Sequence, residues 1–333
     1  MPDRRTHAWT TARAEAADLP PLPFPLSEAL AHVDRAFGIE RLLAEEGRVQ
    51  TGEYYIQSER GYRHLYSEAG CMHAALCRGA QIKRSDYRGQ ANRVSRRITE
   101  LQARDVLELG AGVGFNSLHL ARKHPDVSFT GIDLLPRHVA QANAAARDLP
   151  NLSFRQGDFE ALQDFPQRFD IIFAVETLCH ADDMDALCRN IAALLRPGGR
   201  LIIFDGYLYQ ALQDCTPDMA LAARLYALGT AVGAGFRTAG TWCDALEGAG
   251  LTIRRDTDMS LLVRLTNRRL HALSMRFFND WKLRIAAKAM PQLMVRNAVS
   301  CITGVYAVEG PDVVPEPDKA SLSYHMIIAA KPG

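Results

Sequence analysis

Two residues that can take up a proton, Glu176 and His180, stand four apart just after the apolar run Phe169-Asp-Ile-Ile-Phe-Ala-Val175. A run of that length reads as a buried strand, so both residues fall at its carboxyl end, where an open α/β sheet places its ligands. A second group lies upstream, between residues 53 and 79. There Tyr54, Tyr55, Tyr62 and Tyr66 make up four of the ten tyrosines in the chain, with His64, Met72 and His73 among them. Aromatic faces attract a cation, and a carboxylate or an imidazole can act as a general base. The tyrosine segment reads either as an amphipathic helix that packs aromatics on the main domain or as a cap over a substrate pocket. The plainer roles for Glu176 and His180 are a structural hydrogen bond and a helix cap.

The stretch that must position these groups is Asp105-Val-Leu-Glu-Leu-Gly-Ala-Gly-Val-Gly-Phe-Asn-Ser-Leu-His-Leu-Ala121. Val106 to Leu109 reads as a buried strand, Gly110, Gly112 and Gly114 as a loop that comes close to a ligand, and residues from Ser117 as a helix. Further strands are expected at Val127–Asp133, Leu152–Phe159, Phe169–Glu176 and Gly199–Asp205, with helices over Pro136–Arg147 and Asp185–Leu195. Strand and helix in alternation predict a parallel, doubly wound sheet. Arg196-Pro-Gly-Gly199 reads as a turn and residues 206–238 as mostly helical. Trp242–Ala249 reads as a helix, Leu251–Arg255 as a strand and Ser321–Lys331 as a last strand. The prolines of Leu19-Pro-Pro-Leu-Pro-Phe-Pro25 forbid helix, so residues 1–25 read as a flexible segment. Helical patterns follow over 26–37, 39–46 and 86–103. The domains expected are therefore a helical cap over 26–99 and a main domain over 100–333, with helical insertions at about 206–238 and 260–320.

Composition narrows the class. The 333 residues are 47% hydrophobic with a net charge of +1, which gives no electrostatic case for nucleic acid as a partner. No run approaches the roughly 18 apolar residues of a membrane-spanning helix. The N-terminal Met1-Pro-Asp-Arg-Arg has no apolar stretch behind it to suggest a secretory signal. The seven cysteines are odd in number and scattered, with no Cys-x-x-Cys spacing, so neither zinc nor a disulfide framework is indicated and a reduced, cytoplasmic enzyme is expected. The bases of the 260–302 insertion, among them Arg264, Arg268, Arg269, Arg276, Lys282, Arg284 and Lys288, read as a solvated face, or else as a surface for phosphates or a membrane.

The glycine spacing excludes two ligands. A dinucleotide fingerprint needs Gly-x-Gly-x-x-Gly, and position 115 is Phe; a phosphate-cradling loop needs Gly-Lys-Ser/Thr, and none is present. The set of Glu-x-Gly-x-Gly-x-Gly, an acid closing the second strand, Gly-Asp-Phe after the third and Arg-Pro-Gly-Gly before the fifth resembles the class I S-adenosylmethionine-dependent methyltransferases over about residues 100–258 and the last strand. The resemblance implies an α/β, Rossmann-like, doubly wound seven-stranded fold with a helical N-terminal cap and a helical insertion before the last strand. It implies S-adenosylmethionine held by Glu108, Gly110, Gly112, Gly114, Asn116, Asp133, Leu134, Asp158 and Phe159, with Gln90 and Glu176 as further candidates. Val175-Glu-Thr-Leu-Cys-His-Ala181 is similar to the Glu-Ala-Thr-Cys-His-Ala-Pro segment of sterol C-methyltransferases. Thr177-Leu178 stand in for Ala-Thr, Asp182 replaces Pro, and the aromatic sterol motif is missing upstream. What this second resemblance implies is C-methylation of an isoprenoid or terpenoid alkene, with Glu176 or His180 as the base and Tyr54, Tyr55, Tyr62 and Tyr66 around the cation. N- or O-methylation of a natural-product small molecule is the alternative, and a cofactor-binding module or one subunit of an assembly is the non-enzymatic one. The expected partner is a lipid-like small molecule. A homo-oligomer is left open, no metal site is expected, and Mg²⁺ enters only with a diphosphate substrate.

Overall fold

The centre of the sheet is β1 (Asp105–Leu109), in which Val106, Leu107 and Leu109 are fully buried. A strand that loses water on both faces needs cover on both, which βαβ crossovers supply. The computed structural model describes residues 19–48, 51–61, 66–67, 70–162, 165, 167–282, 285 and 292–333. The remaining strands are β2 (Ser128–Asp133), β3 (Leu152–Gln156), β4 (Phe169–Val175), β5 (Leu195–Leu208), β6 (Thr252–Asp258) and β7 (Leu322–Ala330), in the sheet order β3-β2-β1-β4-β5-β7-β6. The connecting helices are α4 (Gly89–Leu101) before β1, α5 (Phe115–Lys123), α6 (Pro136–Ala146), α7 (Met184–Leu194) and α9 (Ala239–Gly248). This is the expected seven-stranded, Rossmann-like sheet, and the chain order reverses beside β1 and β4. The C-terminal ends of those two strands open the crevice where such folds bind ligands.

Three local expectations change. The sheet is mixed, because β7 runs antiparallel to both β5 and β6. The helices α10 (Ser260–Asn279) and α11 (Gln292–Glu309) leave the end of β6 and return to it, so β7 starts where β6 stops and must run the other way. Arg196–Gly199 is not a separate turn but the start of β5, with Gly198 at φ +78° and a register shift against β4. The region 206–238 is helical over a short 3-10 turn (Leu212–Asp214) and α8 (Pro217–Gly229), since β5 runs on to Leu208.

The cap is assembled from segments far apart in sequence. It contains α1 (Leu26–Phe37), α2 (Ile39–Leu43) and α3 (Thr51–Gly61) from the N-terminal part, together with α8, α10 and α11. Leu26, Leu30 and Val33 of α1 bury their apolar stripe against Leu225 of α8 and Val299, Ile302 and Tyr306 of α11. Fully burying each such side chain contributes roughly 1.5–3 kcal/mol. Among the described residues of 53–79, the expected helix is α3 and a helical position at Tyr66. Residues 71–77 are neither helix nor strand, and are tied by Cys77 N–H to the Leu262 carbonyl (2.8 Å) and by Ala75 N–H to Thr266 Oγ1 (3.1 Å). Tyr62 and His64 lie outside the described residues, as do residues 1–18 of the segment 1–25 read as flexible; within 19–25, Leu22 is buried and its N–H donates to the Val313 carbonyl at 2.7 Å.

Three bases of the insertion, Arg264, Arg268 and Arg269, are engaged inside the protein and not spread on a solvated face. Arg264 and Arg268 both reach the fully buried carboxylate of Glu309, at 2.8 and 2.6 Å, and Arg269 donates to the Tyr66 carbonyl. A buried carboxylate needs such partners to offset its lost hydration. Arg276 and Lys282 are exposed, and Arg284 and Lys288 lie outside the described residues. No helix among the described residues is long and apolar enough to cross a membrane.

Candidate active site

The loop after β1 builds a narrow cleft, and its three glycines have different reasons to be glycine. All three have positive φ, at +64°, +54° and +85° for Gly110, Gly112 and Gly114, a region that L residues avoid. A Cβ on Gly110 would lie 2.2 Å from the Thr177 side chain, and one on Gly114 would lie 2.6 Å from the Phe154 ring. At Gly112 the nearest atom would be Met72 Sδ at 3.6 Å, so this residue faces the cleft. Gly112 N–H donates to Asp133 Oδ2 at 2.8 Å, while Asp133 Oδ1 accepts from Leu135 N–H (3.0 Å) and faces His138 Nδ1 (3.2 Å).

The other expected cofactor residues separate by position. Glu108, Asn116, Leu134, Phe159 and Glu176 line the cleft with Gly110, Gly112 and Asp133. Glu108 is buried and accepts from Asn116 Nδ2 (3.1 Å), Ser117 N–H (3.2 Å) and the Ser117 hydroxyl. Burial pushes its carboxyl up to about 7, because the charged form loses water. Asp158 is exposed, and its carboxylate accepts from Glu160 N–H at 2.9 Å. Gln90 is fully buried behind the wall, where Nε2 donates to the Ala74 carbonyl (2.8 Å) and the Tyr324 hydroxyl (3.2 Å).

The cleft joins a larger cavity of about 650 Å³ enclosed by α1, α3, α8, α10, α11 and the ends of β4, β5 and β7. Tyr54, Tyr55, Tyr66, Tyr226, Phe236 and Tyr324 give it an aromatic wall. Tyr55, Met72, Glu176 and His180 line both spaces, so they form the junction.

Glu176 reaches that junction through a backbone turn with φ +51°, unusual for a residue with a Cβ. Its N–H donates to the Phe204 carbonyl (2.7 Å), and Oε1 accepts from Ala74 N–H (2.9 Å). Burial, against the Ala74 hydrogen bond, pushes its carboxyl up to about 7. His180 Nδ1 lies 3.1 Å from the Ala231 carbonyl, which can only accept, so Nδ1 carries the proton. Nε2 is thereby left to accept from the Tyr55 hydroxyl at 3.2 Å. Burial lowers the His180 imidazole to about 4 and keeps it neutral. Tyr54 packs edge-on against Tyr55 with ring centroids 5.1 Å apart, and its hydroxyl donates to Asn297 Oδ1 at 2.6 Å.

Asp205 and Tyr324 are cavity residues that the sequence reading did not single out. Asp205 closes the apolar run of β5 much as Asp133 closes β2, so its signal was present. Tyr324, in the last strand, carried none. Among the described residues no group of three or more His, Cys, Asp or Glu could hold a metal ion.

A cleft at the switch point of this sheet, with a glycine loop on one strand and an acid on the next, defines a class I S-adenosylmethionine-dependent methyltransferase fold. Residues 106–199 match the family described as "Methyltransferase domain". The chain is 33% identical over 165 residues to a "Ubiquinone biosynthesis O-methyltransferase" of Methylobacterium nodulans, covering 47% of this chain and 64% of the relative. It is 37% identical over 123 residues to the protein of the same name from Coxiella burnetii, covering 35% of this chain and 51% of that relative. The match thus spans between half and two thirds of these relatives. The cyclopropane synthase MmaA2 from Mycobacterium tuberculosis shares the fold with a TM-score of 0.65 at 14% identity, over 84% of this chain and 97% of that one.

Proposed function

We propose that the protein is an S-adenosylmethionine-dependent methyltransferase whose acceptor is an elongated, mostly apolar small molecule, and that it methylates carbon in an isoprenoid or terpenoid alkene. The observation that carries this reading is Glu176: a desolvated carboxyl at the junction of cleft and cavity, surrounded by aromatic side chains. The cavity faces of α10 run from Val263 to Ser274, which at 1.5 Å per residue is about 16 Å and suits a chain-like acceptor.

The cleft fits the cofactor. Gly112 presents backbone to the cleft, with Met72 Sδ at van der Waals distance from where a Cβ would stand, and Asp133 has a carboxylate at the rim that can accept from ribose hydroxyls. Glu108, Gly110, Asn116, Leu134 and Phe159 complete the wall. When bound, S-adenosylmethionine supplies a sulfonium methyl group, an electrophile that needs alignment more than activation. The rest falls to the chain. Tyr54, Tyr55, Tyr66 and Tyr324 keep water from an acceptor that has gained a methyl group and turn π faces toward its positive charge. Glu176 then accepts the proton lost from the adjacent carbon, restoring the double bond. Its carboxyl, raised toward neutrality, is a better-matched base than a carboxylate of ordinary acidity. His180, kept neutral by burial and oriented by the Ala231 carbonyl, fixes the Tyr55 ring at the junction.

O-methylation is the second reading. It is favoured by the Tyr55–His180 hydrogen bond, which could pass a hydroxyl proton to the imidazole, and by the names of the curated relatives. Incubation with methyl-labelled cofactor and a panel of terpenoid, prenyl diphosphate, sterol, phenol and amine acceptors separates the two. New mass on carbon is the expected result; label on oxygen or nitrogen would decide for the alternative.

A further inference from the structure

We infer that Asp205 is a positioning residue of the site: its carboxylate fixes the 176–180 segment, and with it the direction in which Glu176 faces the junction. This rests on the reading of Glu176 as the proton acceptor. Asp205 is the last acid of the buried part of β5 and is 2% exposed, yet it borders the acceptor cavity. Its oxygens are already committed. Oδ2 accepts from Thr177 N–H at 3.2 Å and from Cys179 N–H at 3.0 Å, and Oδ1 accepts from Gly206 N–H at 2.9 Å. A carboxylate occupied in this way by backbone donors is poorly placed to act on an acceptor directly. It is well placed to hold the turn, because the two amides it takes follow the residue at φ +51°. That conformation costs about 1–3 kcal/mol and persists only where surrounding contacts over-determine it. The Phe204 carbonyl takes the Glu176 N–H from the neighbouring position of the same strand. β5 therefore grips the segment at three amide donors, those of residues 176, 177 and 179.

The charge of Asp205 acts on Glu176 as well. Burial pushes Asp205 only to about 6, so it is ionised at neutral pH, and its negative charge adds to burial in holding the proton on Glu176. The other groups facing Glu176 are the Ala74 N–H and Cys71 from the extended 71–77 segment, Tyr324 from β7, and Cys179 on its own loop. None of them is a cation.

The test follows the infrared C=O stretch of protonated carboxyls across pH 5.5–9 in the purified protein, with S-adenosylhomocysteine affinity as the check on the cleft. Glu176→Gln identifies the Glu176 band, and the Glu108 band serves as an internal reference. In Asp205→Asn, which keeps an acceptor but not the charge, affinity for S-adenosylhomocysteine should stay within about threefold. The proton affinity of Glu176 should fall by about 3- to 10-fold. In Asp205→Ala the segment is released, water reaches Glu176, and its midpoint should fall further toward the ordinary carboxylate range. A Glu176 midpoint equal to that of the wild type in the folded Asn variant would overturn the inference. Loss of thermal stability with that midpoint unchanged would do the same. Whether Glu176 is the base is read separately, from turnover of Glu176→Gln, so the two ideas can fail independently.

Discussion

Glu176 and His180 show one cause acting with opposite sign. Burial disfavours the charged form of each, which raises the carboxyl to about 7 and lowers the imidazole to about 4. Near neutral pH the carboxyl can therefore exchange a proton while the imidazole stays neutral. Glu176→Gln should leave S-adenosylhomocysteine binding within a few-fold and reduce turnover by about 10²–10⁴, the range of a lost general base; single-turnover assays with labelled cofactor provide the measurement. Because the base must be ionised, kcat/KM of the wild type should rise with pH through about 7 and fall below it. That limb should vanish from whatever activity Glu176→Gln retains. Asp133 makes a separate prediction. Its loss removes both an anionic acceptor at the rim and the bond to Gly112 N–H, so Asp133→Ala should weaken S-adenosylhomocysteine binding by about 10- to 100-fold in calorimetry.

Among the elements, the glycine loop and the β4 loop are fitted to each other. Gly110 stands against Thr177, one residue past Glu176, so the glycine loop bears directly on the 176–180 segment. Gly110→Ala combines a forbidden φ with a 2.2 Å collision. It should lower stability in urea by more than 1 kcal/mol, since Ala at positive φ alone exceeds the usual Gly/Ala difference, and should reduce cofactor affinity with it. Helix α3 couples the two spaces from the other side. Thr51, Gly52 and Tyr55 border the cleft, Tyr54 and Tyr55 border the cavity, and Glu59 pairs with Arg137 of α6 at 2.9 Å.

On the scale of the whole molecule, the larger cavity exists because five helices, α1, α3, α8, α10 and α11, converge over one end of the sheet. The buried pair of arginines on Glu309 joins α10 to α11 where both meet β7. Removing the carboxylate leaves two buried cations facing each other. Glu309→Gln should therefore destabilise the protein by about 3–5 kcal/mol in urea unfolding. Purely apolar replacement of all three residues should cost far less, which distinguishes a lost charge partner from lost packing.

The strands, their alternation with helices and the glycine loop could all be read in the linear chain, because each depends on residues close together in sequence. Val106–Leu109, the acid closing β2 and the helical stripe of Leu26–Phe37 are local patterns, and they appear where periodicity and turn chemistry placed them. The direction of β7 could not be read this way, since it depends on where a 60-residue excursion returns to the sheet. The division of labour among Gly110, Gly112 and Gly114 depends on Thr177 and Phe154, which lie tens of residues away. The bases of the insertion looked solvated because their partner, Glu309, follows at the far end of the next helix. Tyr55 and His180, 125 positions apart, are neighbours only in the folded chain. Burial, which moves the proton affinities of Glu176 and His180 in opposite directions, is likewise a property of the assembled protein: it depends on which segments exclude water from the end of β4.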